Sequence, residues 1–273
     1  NGCADGISTD AGSGGGIYMG NSIQDSMGGA SLRIENSVIN NHRASTAGGG
    51  IYIQSDAAVF ELIDSTTFNG NSAGRGGGIY SNGAITQIQN STFSSNEAIG
   101  FSFNTAQGGA IWSLGNINGM NNNTFYNNEA IGGNSSGGAL YFGADAMGIE
   151  NNLFFSNLAD DGPDCTHVLG VSVMGENNLS RKGFNLCPNA GIAEPVMSLE
   201  VYSLVDNGCL KPFADGSCAR THAIGKNSAA KNAANLNATV FDQRGFGQTG
   251  IRDVGAFEYD GLNFDVIFKD NFE

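Results

Sequence analysis

Between Gly14 and Ala159 one pattern occurs five times: a glycine block closing on an aliphatic–aromatic pair, a polar gap, then an aliphatic run into Asn-Ser or Asn-Thr, a bulky residue and Asn. Aligned on the bulky residue, the repeats place Ile39, Phe68, Phe93, Phe125 and Phe154 in one column. The mean spacing of roughly 29 residues lies in the range of solenoid repeats. Five residues earlier stand Ile34, Ile63, Ile88, Met120 and Ile149. Asn36, Ser65, Asn90, Asn122 and Asn151 form a column three before the bulky residue, and His42, Asn71, Asn96, Asn128 and Asn157 one three after it. Ala44, Ala73, Ala98, Ala130 and Ala159 follow two residues later.

A helix needs apolar residues three and four apart over ten or more positions, whereas these units are short β-branched and aromatic runs broken by Gly, Asn and Ser. They read as strands and turns. Stacked on its neighbours, each unit makes one coil of a single-stranded parallel β-helix, so the expected class is all-β. Ile and Phe columns then fill the interior. An Asn column has two uses, as a side-chain ladder between coils and as a residue that tolerates a left-handed bend.

The remainder bounds the function. A formal net charge of −14 disfavours nucleic acid and anionic lipid as partners, and disfavours polyanionic glycans unless a cation bridges them. No apolar run approaches the roughly 20 residues of a membrane span, and no signal peptide is visible at Asn1, which reads as a processed or trimmed start. The five cysteines have no zinc-site spacing, so disulfides are expected: Cys209 with Cys218 across a short loop, Cys165 with Cys187, and Cys3 left over. That chemistry points to an oxidising compartment.

In order, residues 1–13 read as an N-terminal edge and 14–185 as β-helix coils, with a degenerate coil where Glu176-Asn177-Asn178-Leu179 echoes Glu150-Asn151-Asn152-Leu153. Residues 186–259 read as an irregular disulfide-bearing segment and C-terminal cap, and 260–273 as a tail. An insertion near Ile99 to Gln107 carries Phe101 and Phe103, either as a contact site or folded back on the wall.

Gly108-Gly109-Ala110-Ile111 alternating with Phe93 to Asn96 and Phe125 to Asn128 resembles the repeats of chlamydial polymorphic outer-membrane proteins and of many bacterial surface β-helices. Leu204 to Gly208, Thr221-His222-Ala223, Asp242 to Gly245 and Asp253 to Glu258 resemble the cap of secreted right-handed, pectin-lyase-like β-helix proteins of the choice-of-anchor type. The tail from Ile267 to Glu273 is similar to one on secreted proteins of Gram-negative bacteria. The resemblance implies a right-handed coil and a secreted, periplasmic or cell-surface protein with no assigned activity. It also implies a structural His222 and a cap salt bridge between Arg244 and Asp253. The insert from Cys209 to Cys218 departs from the family pattern.

Three candidate sites follow. The column Tyr18, Tyr52, Tyr80, Trp112, Tyr141 is expected to face outward if the preceding aliphatic residues face inward, giving a ladder on which sugar rings stack; the structural alternative is that the rings shield the wall. Asp160, Asp161 and Asp164 gather hard oxygen ligands in one turn, a candidate Ca²⁺ site with Asp145 nearby, or simply solvated carboxylates. No other cofactor is called for. For a lyase or glycosidase, the basic residues His42-Arg43, Arg75 and Arg181-Lys182 share no column, and Glu35 and Asp64 sit on adjacent rungs, too close for hydrolytic geometry. The expectation is therefore an exported, noncatalytic, adhesin-like module, binding a polysaccharide, a cell-surface glycan or a protein on a target surface. A carbohydrate-active enzyme is the alternative.

Overall fold

The computed structural model describes residues 3–4, 12–20, 31–54, 59–100, 105–181, 198–247 and 250–259. Among them every regular element is a strand, and nearly all strands pair in parallel with the equivalent strand one repeat away. The chain is an all-β parallel solenoid. Each coil contributes to four walls. The aromatic wall stacks Ile17–Met19, Ile51–Ile53, Ile79–Ser81, Ile111–Ser113, Leu140–Phe142 and Cys165–His167. The phenylalanine wall stacks Val38–Asn40, Thr67–Asn69, Thr92–Ser94, Thr124–Tyr126, Leu153–Phe155 and Leu179–Ser180. Between these two in the coil runs a broader wall that includes Ser31–Glu35, Val59–Asp64, Ile88–Gln89 and Met120–Asn121. A narrow wall with the alanine column completes the coil, and Cys3–Ala4 joins it beside Arg43–Ala44.

The columns read from the sequence are columns in space. Phe68, Phe93, Phe125 and Phe154 are buried and stack ring on ring, with centroids 4.8, 5.0 and 5.0 Å apart. With Ile63, Ile88, Met120 and Ile149 they form the main core. Burial of each such side chain contributes about 1.5–3 kcal/mol. Glycine recurs where the walls leave no volume. A Cβ on Gly109 would sit 2.1 Å from the Gly138 carbonyl oxygen.

The two uses of asparagine fall to different columns. Asn36, Ser65, Asn90, Asn122 and Asn151 adopt φ between 45° and 55°, the left-handed bend between the broad and phenylalanine walls. The ladder instead runs through the column after the phenylalanines. Asn71 Nδ2 donates to Asn96 Oδ1 at 2.9 Å, Asn96 to Asn128 at 2.9 Å and Asn128 to Asn157 at 3.0 Å. Asn157 Nδ2 ends the run on Asp164 Oδ1 at 3.0 Å. A second ladder, through Asn123, Asn152 and Asn178, follows the bend residues immediately. One residue past a left-handed bend the side chain turns inward, so the neighbour makes the buried ladder, while the bend residue Asn177 donates to the bend residue Asn151 of the preceding coil.

The described part of the segment from residue 198 onward lies along the outer face of the phenylalanine wall. Leu153, Phe155, Leu199, Ile224, Val254 and Phe257 form a second core between wall and segment. Thr67, Thr92 and Thr124, outward-facing on the wall, are buried beneath it and bond to Arg220, Gln243 and Ala256 respectively. An uncovered threonine and tyrosine face offers hydroxyls and apolar area together, and the irregular segment satisfies both. Phe101, Phe103, Cys187 and the 260–273 tail lie outside the described residues.

Candidate functional site

The aromatic column sits on the outer face of its wall, because Ile51, Ile79, Ile111 and Leu140 point into the core. Its rings stack on one another. Centroid separations are 5.5 Å for Tyr18–Tyr52, 4.9 Å for Tyr52–Tyr80, 4.3 Å for Tyr80–Trp112 and 6.0 Å for Trp112–Tyr141, with planes within 18° of parallel. Each inner ring therefore spends both faces on its neighbours. Tyr18 is 44% exposed, whereas Tyr52 is 9% and Trp112 5% exposed. Arg75 lies over Trp112 at 5.7 Å, and burial, with the Tyr52 phenol next, pushes the Tyr80 hydroxyl up to about 12. The inner rings therefore have both flat faces covered, and the terminal Tyr18 and Tyr141 each stack on a single ring of the column.

The carboxylates of Asp160, Asp161 and Asp164 are each taken by a protein donor. Asp160 accepts from the Ser135 amide and hydroxyl, Asp161 from the Thr166 hydroxyl, and Asp164 from Asn157 and the Ser180 hydroxyl. Asp145 accepts the Ser172 amide at 2.8 Å. Among the described residues no group of three or more acidic, His or Cys side chains converges in a way that could hold a metal ion. Cys209 and Cys218 are joined, and Cys165 is disulfide-bonded, its expected mate Cys187 falling outside the described residues.

The residues expected to pair across the C-terminal segment do so with other partners. Arg244 binds Asp242 at 2.7 Å and Arg252 binds Glu258 at 2.8 Å, in place of an Arg244–Asp253 bridge. Asp242 lies two residues from Arg244 in a tight turn, closer in chain and space than Asp253. Arg244 Nη1 is buried without a hydrogen-bond partner among the described residues; the guanidinium instead packs over Phe257 at 3.8 Å and Phe246 at 4.8 Å. Asp253 accepts the Asn232 and Tyr259 amides, and burial raises its carboxyl to about 6. His222 donates from Nδ1 to the Tyr202 carbonyl, accepts at Nε2 from the Ser94 hydroxyl, and stacks on Tyr126 at 4.0 Å. Burial depresses it to about 4, so it is neutral at pH 7. His222 ties the segment to the wall, while the two ion pairs and Asp253 fasten the segment to itself.

Where the segment leaves the wall at the bend, a cleft of about 660 Å³ opens. One side is the bend itself, with Glu35, Asp64 and Gln89 in register on successive rungs and Asn36, Ser65 and Asn90 beside them. Asp64 is held by three donors: Gln89 Nε2 at 3.0 Å, Asn90 Nδ2 at 3.1 Å and the Ser65 hydroxyl at 3.0 Å. Arg33 binds Glu35 at 2.8 Å. The other side carries the apolar Leu210, Phe213, Val240 and Phe241 beside Lys211, Asp242, Gln243 and Arg244. A smaller cleft lies across the Cys209–Cys218 loop, and Phe213 lines both. Sequence reasoning placed Glu35 and Asp64 in one column but set them aside as a hydrolytic pair, and it missed the apolar residues opposite. Their signal, Val240-Phe241 in an otherwise polar stretch, is visible, yet nothing local says which rung it faces.

Comparisons with known protein families, curated proteins and solved structures return no match. Fold and site define the class by themselves: a parallel β-solenoid whose flank is covered by its own C-terminal segment, with a two-walled cleft at the junction. Among the described residues no helix is long and apolar enough to cross a membrane.

Proposed function

We propose that this chain is an exported, noncatalytic, adhesin-like module that recognises glycan, a relative of the secreted right-handed bacterial β-helix proteins with polymorphic outer-membrane-type repeats. On this reading it acts in the periplasm, at the surface or outside a Gram-negative cell. The observation that carries the proposal is the flank cleft, where fixed oxygen and amide groups face exposed apolar side chains. Binding sites for small molecules combine an apolar lining with a few oriented polar groups. The aromatic column contributes less to this reading than its sequence promised, because the faces of its inner rings are occupied by neighbouring rings.

Noncatalytic action fits the carboxylates. A glycosidase places two carboxyl groups on opposite sides of the bond it cleaves. Glu35 and Asp64 are register partners on the same wall, and Asp242 is tied to Arg244. The test is a glycan array on the intact chain, with and without Ca²⁺, followed by chromatography of each retained glycan after prolonged incubation. Retention of intact glycan is the expected outcome. Shortened or unsaturated products establish the enzyme alternative, and retention of nothing removes the glycan reading.

A further inference from the structure

We infer that the flank cleft takes an uncharged oligosaccharide lying along the solenoid axis, its hydroxyl edge on the Glu35–Asp64–Gln89 column and an apolar sugar face against Phe241. The inference rests on the glycan reading above and adds the ligand class and its orientation.

Spacing supplies the first argument. Glu35, Asp64 and Gln89 occupy equivalent positions on three consecutive rungs. Rungs are about 4.8 Å apart, so the column spans about 10 Å, the scale of two linked sugar rings. Carboxylates only accept hydrogen bonds, a carboxamide both donates and accepts, and a sugar hydroxyl does both, so it satisfies either kind of group. Asp64 is already oriented by Gln89, Asn90 and Ser65. A carboxylate offers about four acceptor positions, which leaves room for one ligand hydroxyl without reorganising the group.

The opposite wall supplies an independent argument. Leu210 is 61%, Val240 67% and Phe241 55% exposed, three large apolar residues from two stretches of chain gathered at one cleft. A ligand that meets them must be apolar on one side and hydroxylated on the other, as a pyranose ring is.

Charge sets the class. Glu35 is paired with Arg33, and Asp242 with Arg244, while Asp64 is satisfied by uncharged donors. Lys211 is a further lining cation. No concentrated charge of either sign awaits a charged sugar, and the chain's net −14 repels uronates and sulfated glycans.

The test is titration calorimetry of the intact chain with xylo-, cello- and malto-hexaose, and with oligogalacturonate and a glucosamine oligomer of the same length. Phe241→Ala and Gln89→Ala are the cleft variants, and Leu169→Ser, outside the cleft, is the control. Phe241 holds Arg252 and Thr239 through its backbone carbonyl, so the alanine variant keeps those bonds. The expected result is binding of at least one uncharged hexaose, weakened tenfold or more by each cleft variant and unchanged in the control. Preference for the uronate or the glucosamine oligomer at the cleft overturns the ligand class and leaves the glycan reading intact. Uncharged binding that ignores both cleft variants overturns the site alone. No binding of any sugar here or on the array removes both.

Discussion

The Thr92 hydroxyl donates to Gln243 Oε1 at 2.6 Å across 151 residues of chain, while the same carboxamide donates from Nε2 to Thr67 Oγ1 at 2.7 Å. One side chain thus spans two rungs and fastens the C-terminal segment to the phenylalanine wall. Gln243→Ala strands the Thr92 donor in a dry interface. A buried polar group left unsatisfied costs about 1–3 kcal/mol. The expected outcome is a lower denaturation midpoint, with amide exchange accelerating first in residues 221–224 and 242–246. Gln243→Glu retains the acceptor for Thr92 and loses the donor to Thr67, and is expected to be destabilised as well, since it also buries a charge.

Asn128 receives the amide and side chain of Asn96 on its oxygen and donates to Asn157 and to the Phe93 carbonyl. Asn128→Ala removes partners from several buried groups at once. Each buried group left unsatisfied costs about 1–3 kcal/mol, so the loss is expected to exceed that of a single broken bond. Asn122→Gly, at a left-handed bend with φ of 54°, keeps the backbone relaxed and loses only the side chain's bonds to the C-terminal segment. Urea denaturation of the two variants is expected to rank Asn128→Ala well below Asn122→Gly.

Acid is expected to act on the segment through two groups of opposite sign. His222 is depressed from 6.5 to about 4, so the unfolded chain takes up a proton that the native chain refuses. Its contribution is complete above 6.5 and is lost as pH falls toward 4. The full loss is at most about 3 kcal/mol. Asp253 is raised from 3.8 to about 6, so its contribution is complete below 3.8 and is lost as pH rises through about 6. Glutamine at 222 can donate to Tyr202 and accept from Ser94 without titrating. The stability difference between wild type and His222→Gln, read from denaturation midpoints, is expected to shift in favour of the variant as pH drops from 6.5 to 4; a difference flat with pH sinks the account.

Most of the solenoid was legible because its physics is periodic. A parallel stack puts like on like, so Phe93 over Phe125 and Asn96 over Asn128 are visible as sequence columns before any coordinates. The division of labour among the asparagines was not legible, because Asn122, in the bend, and Asn123, one residue past it, are the same residue type side by side. Nor was the fate of the aromatic column. Outward direction was conditional on Ile79 and Ile111 facing inward, which the register of the folded coils decides, and the stacking of Tyr80 on Trp112 at 4.3 Å depends on ring rotation.

What the sequence determined by itself is the coil: repeat length, core columns and the glycines at close approaches, all consequences of a structure whose neighbours lie one repeat away. Only the tertiary structure decided where residues 198–259 go. Their contacts with Thr67, Thr92, Asn122 and Asn151 join positions 84 to 176 residues apart with no repeat to align them. Such contacts are chosen by complementarity of buried hydroxyls, amides and apolar area across a surface that exists only after the coils have stacked. The cleft between Asp64 and Phe241 is a product of that choice, which is why one of its walls could be read in the chain and the other could not.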